Sequence, residues 1–112
     1  MISINFLFLK TILLKPLEVA SDLTEDGGVS RLIHQTVHAY GQIDILVNVA
    51  GIFKPAKLVD ANFSRVFEEV TAINEIALLQ MCQEAIPYLL KTNGTIVNIA
   101  SVLATYPVCL LF

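Results

Sequence analysis

Asn48, Ala50 and Gly51 follow the apolar residues Ile43, Ile45, Leu46 and Val47, and Ser101 follows a second strand-like stretch, Thr-Ile-Val-Asn-Ile-Ala, at residues 95–100. Small residues after a strand let the backbone turn sharply and come close to a ligand. The carboxyl ends of parallel strands are where open α/β sheets bind their ligands. Asn74 lies between the two runs, on a long helical pattern. Taken alone, Ser101 reads as a serine closing a strand, Asn74 as a polar helix residue and Asp22 as a turn residue. His34 and His38 are four apart, a spacing that can put two metal ligands on one helix face. No third ligand is evident near them, so they are read as helix histidines and no metal site is expected. Cys82 and Cys109 have no metal-like spacing and read as reduced thiols. The sequons at Asn62 and Asn93 read as a helix residue and a turn.

The bulk properties narrow the function further. At 112 residues the chain is one domain at most. It is 55% hydrophobic and only 15% charged, enough to fill a core with little polar surface to spare. The net charge of −3, with no basic stripe, excludes an electrostatic footing for nucleic acid. Residues 1–14 are an apolar segment broken by Lys10. That run is shorter than the ~20 residues a membrane span needs and has no basic start of the signal-peptide kind, so no membrane anchor is expected. A cytoplasmic protein is the corresponding expectation.

The positioning elements follow from periodicity. Residues 16–23 read as a strand entering a loop at Ser21 and Asp22. The paired glycines at 27 and 28 suit a helix entry, and apolar positions Val29, Leu32, Ile33, Val37 and Tyr40 recur at helical spacing until Gly41 stops the run. Residues 43–47 are apolar on both alternating faces, which suits a strand buried in a parallel sheet. Pro55 punctuates the loop that follows. Asp60 offers an N-cap for a short helix through Val70, and residues 71–91 form a longer helical pattern that is apolar over most of its circumference. Such a helix is core or subunit interface. Pro87 should kink it near its end. Asn93-Gly94 is a turn signal, and residues 95–100 read as a second buried strand.

Assembled, these pieces resemble the short-chain dehydrogenase/reductase family over residues 15–107, with residues 108–112 as a divergent tail. Asp22-Leu23-Thr24 is similar to the Asp-Leu/Val-Thr at the end of the family's third strand. Tyr40-Gly41-Gln42-Ile43-Asp44-Ile45-Leu46-Val47-Asn48-Val49-Ala50-Gly51 is similar to its aromatic-Gly-x-Ile/Leu-Asp-x-Leu-Val-Asn-Asn-Ala-Gly signature, with Val49 in place of the second asparagine. Ile73-Asn74 matches its Val-Asn, and Gly94-Thr95-Ile96-Val97-Asn98-Ile99-Ala100-Ser101 its Gly-x-Ile-Val-Asn-Ile-Ser-Ser.

The resemblance implies an α/β fold, a partial doubly wound, Rossmann-like parallel sheet incomplete at both ends. It implies hydride transfer between NAD(P) and a small alcohol or carbonyl substrate. It gives Ser101 a hydrogen bond to the substrate oxygen as charge develops there, and Asn74 a water in the proton relay. Asp22 would touch the adenine, and Asn48, Ala50 and Gly51 would border the cofactor. It also implies packing of residues 71–90 against a neighbouring subunit, in a homo- or hetero-oligomer.

Two family features have no match among the 112 residues. The tyrosines at 40, 88 and 106 are followed four places on by Asp44, Thr92 and Leu110, so there is no Tyr-x-x-x-Lys. The five glycines form no Gly-x-x-x-Gly-x-Gly array. The expectation is therefore little or no turnover by this chain alone. Residues 4–14 are considered as a substitute strand beside the incomplete sheet, whose bare edge would otherwise invite aggregation.

Overall fold

Ile45, Leu46 and Val47 favour extended backbone because two of the three are β-branched, and they build the central strand. The computed structural model describes residues 3–5 and 16–102. Along the chain it has strands β1 (Ser3–Asn5) and β2 (Glu18–Ala20), helix α1 (Gly28–Tyr40), strand β3 (Ile45–Asn48), helix α2 (Phe63–Thr71), a π-helical turn at Ala72–Ile76, helix α3 (Ala77–Thr92) and strand β4 (Thr95–Asn98). β3 and β4 pair in parallel, with Ile45 opposite Thr95 and Asn48 opposite Asn98. The ladder extends at both ends, since Thr95 N–H donates to Asp44 C=O at 3.0 Å and Ile99 N–H to Asn48 C=O at 2.9 Å. This is the parallel pair, joined through a helical crossover, that the sequence predicts.

β1 and β2 form a separate antiparallel pair, Ile4 opposite Val19. Of the proposed substitute strand at residues 4–14, only Ile4 and Asn5 fall within the described residues. They pair with β2 and not with the β3–β4 sheet. Residues 6–14, and with them the rest of that expectation, lie outside the described residues, as do Tyr106 and Cys109.

The burial of β3 differs from the expected two-sided pattern. Leu46 is 2% exposed, whereas its neighbours Ile45 and Val47 are 48% and 38% exposed. α1 and α3 pack together and α3 packs on β3, so the covering helices lie on one face only. Side chains alternate across a strand. Leu46 and Asn48 therefore enter the core, while Ile45 and Val47 stand on an uncovered face.

The α1 boundaries match the sequence reading. Gly41 takes the left-handed conformation and its N–H returns to Val37 C=O at 2.7 Å. At the other end Gly27 is left-handed as well, and Gly28 sits hard against the preceding strand exit. A Cβ on Gly28 would lie 1.9 Å from the backbone oxygen of Asp22. Ser21 Oγ donates to Gly28 C=O at 2.8 Å across the same junction. Gly28→Ala should therefore force the backbone apart and lower the thermal midpoint by roughly 5–15 °C, the range for an overpacked site costing about 1–3 kcal/mol. An unchanged melting curve would show that the 22–28 turn adjusts freely.

The two expected helices run as one. α2 passes into the π turn and then α3 without an intervening loop, and α3 continues through Pro87 to Thr92. Asp60 is not the N-cap. Its Oδ2 accepts from Lys57 N–H at 2.9 Å and its carbonyl accepts from Phe63 N–H at 3.0 Å, closing a turn ahead of the helix. Asn62 holds the cap position, with no side-chain capping bond. The apolar circumference of α3 also divides. Ala77, Met81, Ala85 and Leu89 are buried at helical spacing, while Leu79, Ile86 and Leu90 are exposed. Ser30 Oγ donates to Glu84 Oε1 at 2.7 Å and ties α1 to α3.

Candidate functional site

The carboxyl ends of β3 and β4 point the same way because the strands are parallel, so the segments leaving them share one end of the sheet. Asn48 is the last residue of β3 and only 8% exposed. Strand alternation turns its side chain toward α3. There Nδ2 donates to Asn98 Oδ1 at 2.8 Å and to Cys82 Sγ at 3.2 Å. The amide expected to border a cofactor thus spends both its protons inside the protein. Its neighbours Ala50 and Gly51 remain at the surface, half-buried and exposed respectively.

Asn74 holds the far end of the same loop. Its Nδ2 donates to Ile52 C=O at 2.9 Å, and its Oδ1 accepts from Ile52 N–H at 2.9 Å. One side-chain amide thereby satisfies both polar groups of a loop residue that has no strand partner. A Cβ on Gly51 would come 3.4 Å from Asn74 Oδ1, at the near edge of ordinary van der Waals contact. Asn74 sits in the π turn, where one extra residue per turn re-aims the side chains that follow. Lys54 and Glu69 form an ion pair that straps the next part of the loop to α2.

Asp22 follows β2. Its Oδ1 accepts from Thr24 N–H at 2.9 Å and from Thr24 Oγ1–H at 2.7 Å. These bonds favour the charged form and hold the carboxyl below the ordinary Asp value. Stability linked to this shift is present above the unfolded-state pKa of about 3.9 and is lost as pH falls from there through the lower folded-state value. Thr24→Val keeps the backbone donor and removes the hydroxyl, which is the larger cause. It should raise the Asp22 titration midpoint toward the ordinary value in a carboxyl-detected NMR titration; an unmoved midpoint would refute the assignment.

Leu23, beside Asp22, shares a shallow depression of about 20 Å³ with Val49, Ala50, Ile73 and Leu78. The loop after β2 and the loop after β3 are thus neighbours, which brings Asp22 toward Ala50 and Gly51. Ser101 stands exposed three residues beyond β4, at the same end of the sheet. His34 and His38 are both exposed on α1, and no cluster of three metal-ligating side chains occurs among the described residues.

Sequence reasoning read Asn98 as part of the second strand's motif and Cys82 as a reduced thiol, and neither as a partner of Asn48. A signal was present for the first. The runs Ile-Leu-Val-Asn and Thr-Ile-Val-Asn both end in asparagine, and a parallel ladder in that register sets the two amides side by side.

The Asp22 carboxylate, the small residues Ala50 and Gly51 and an apolar depression of about 20 Å³ lie at this end of the sheet; the depression itself has room for little more than a water. No array of glycines before a helix, of the kind that cradles a pyrophosphate, occurs in the 112 residues.

Comparison with known proteins gives a consistent picture. The family model for short chain dehydrogenase matches residues 14–111. L-fucose dehydrogenase of Rattus norvegicus is 32% identical over 83 residues, which are 74% of this chain and 31% of that protein. 3-Oxoacyl-[acyl-carrier-protein] reductase of Thermotoga maritima is 34% identical over 86 residues, 76% of this chain and 35% of that one. Among solved structures, the ligand-free aldohexose dehydrogenase of Thermoplasma acidophilum superposes with a TM-score of 0.75 at 28% identity, covering 83% of this chain and 36% of that one. The chain spans about a third of the length of the curated relatives it matches.

Proposed function

The chain belongs to the short chain dehydrogenase family, and from that premise we propose that it carries the central part of an NAD(P)-dependent site for interconverting a small alcohol and its ketone. The observation that supports this best is the parallel ladder ending in Asn48 and Asn98, with Asn74 on the joining helix gripping the loop that contains Gly51. The named relatives act on L-fucose, on an aldohexose and on a 3-oxoacyl-[acyl-carrier-protein], so the common denominator is a carbonyl or alcohol carbon and not a particular substrate.

In this reading Asp22, Ala50 and Gly51 hold the adenosine end of the cofactor, and Asn48 supports that loop from beneath. NAD(P), when bound, supplies or accepts the hydride. The hydroxyl of Ser101 hydrogen-bonds the substrate oxygen, an interaction that strengthens as negative charge gathers there. Asn74 orders a water that passes the proton onward. The groups that would donate the proton and hold the pyrophosphate have no counterpart in these residues, so a polypeptide of these residues alone turns over little or not at all. Cytoplasmic placement is part of the same proposal; among the described residues no helix is long and apolar enough to cross a membrane.

One observation favours a second reading. Leu79, Ile86 and Leu90 form an exposed apolar stripe on α3, which suits a non-catalytic chain that associates through residues 71–90 with itself or with full-length relatives. Titration with NAD⁺ and NADP⁺, followed by amide NMR shifts, tests the first reading. Shifts confined to residues 22–24 and 49–52 support it, and none at millimolar dinucleotide refutes cofactor binding by this chain. Sedimentation of the chain alone and mixed with a full-length relative tests the second.

A further inference from the structure

We infer that Asn98 is a positioning residue: acting through Asn48, its side-chain oxygen fixes where the loop bearing Ala50 and Gly51 leaves the sheet relative to the segment bearing Ser101. The functional half of this rests on the alcohol–ketone reading above; the geometric half does not.

The last rung of the β3–β4 ladder is the branching point of the site. Asn48 and Asn98 are Cα partners there, and beyond the Ile99 N–H to Asn48 C=O bond at 2.9 Å the two segments separate. One departs as Val49-Ala50-Gly51, the other as Ile99-Ala100-Ser101. The bond from Asn48 Nδ2 to Asn98 Oδ1, at 2.8 Å, crosses this rung on the α3 side. The second proton of the same Nδ2 is directed to Cys82 Sγ at 3.2 Å, which anchors the pair to α3. Asn74 closes the loop at its other end through two bonds to Ile52. Three residues, 49–51, are therefore suspended between two asparagine clamps.

The side chains make Asn98 the informative member. Asn48 is buried, so replacing it disturbs the core, whereas Asn98 is exposed and its truncation leaves no cavity. Its contribution to the clamp is the accepting oxygen. The register also depends on it. A slip of one residue would carry Asn98 to the opposite face and leave a buried amide proton without its acceptor.

Residue-resolved hydrogen exchange on the full chain tests this with Asn98→Ala and Asn98→Asp, the latter keeping an acceptor oxygen at the same reach. Asn98→Ala is expected to speed exchange about five- to tenfold at residues 49–52 and 99–101, the effect of losing one local hydrogen bond, while Leu46 and Ile96 stay at the wild-type rate. Asn98→Asp should restore protection. A merely stabilising role would instead speed exchange uniformly, Leu46 and Ile96 included. That pattern overturns the inference, as does an unchanged loop, or an Asp variant as fast as the Ala variant. Should the Ala variant fail to fold, Asn98→Ser, whose hydroxyl is too short to replace the acceptor, is read against Asp in the same way. Dinucleotide that shifts the wild-type amides should bind the Ala variant at least fivefold more weakly, and equal affinity overturns the inference. A wild-type chain unresponsive to dinucleotide refutes the cofactor reading alone, because the exchange pattern is read without ligand.

Discussion

Given NADPH and a panel of ketones, a polypeptide of these 112 residues should consume the cofactor at least 10²-fold more slowly than a full-length relative assayed alongside it. Two separate losses point the same way. In the proposed site the developing oxyanion would have the Ser101 hydroxyl beside it but no Tyr-x-x-x-Lys pair, and general acid or base groups contribute typically 10²–10⁴-fold. Without an array of backbone N–H groups at a helix start, the pyrophosphate also goes unheld, so the reacting carbon and the hydride are not kept in register. The first loss lowers kcat and the second raises the cofactor KM. Turnover at an ordinary family rate, measured by NADPH absorbance on material free of host reductases, would overturn the reading of Ser101 and Asn74 as remnants of a site.

The second large effect concerns stability and uses the two faces of β3 against each other. Leu46→Ala should destabilise the fold by about 2–5 kcal/mol, since Leu46 is fully enclosed between the strand pair and the helices. Against a total of about 5–15 kcal/mol for an ordinary domain, that shifts the urea midpoint down by about 1–2 M or removes the transition entirely. Ile45→Ala, one residue earlier, should cost less than about 1 kcal/mol because half of its surface is already in water. The contrast is the diagnostic. Equal losses would mean that the face carrying Ile45, Val47 and Val97 is covered in solution.

That one-sided burial shows where sequence reading stops. Apolar residues at 43, 45, 46 and 47 announced a strand in a parallel sheet correctly, and Gly41 announced the helix end before it. The pattern encodes suitability for burial on both faces, however, and not whether both are covered; only the placement of α1 and α3 on one side decides that. Asn74 was found by its place in a motif, but its grip on Ile52 was not legible, because a side-chain-to-backbone clamp leaves no periodic trace. The alternation of β3 puts Asn48 on the side of α3, but that Cys82 would meet its amide there was not legible, because α3 is placed by packing and not by the strand's own pattern. The start of the first helix was misplaced by Asp60, a good capping residue type whose carboxylate closes the preceding turn instead.

The π turn at Ala72–Ile76 carries an implication of its own. Such a turn amounts to one residue inserted into an otherwise regular helix, so excising a single residue there would let the whole stretch from Phe63 to Thr92 wind evenly, with better-aligned backbone hydrogen bonds. Even winding would swing Asn74 around the axis by about 100° relative to the residues on the far side of the deletion, out of reach of Ile52. The irregularity is what aims the amide. A homologue that lacked the extra residue would gain a straighter rod and lose its hold on the loop beside Gly51.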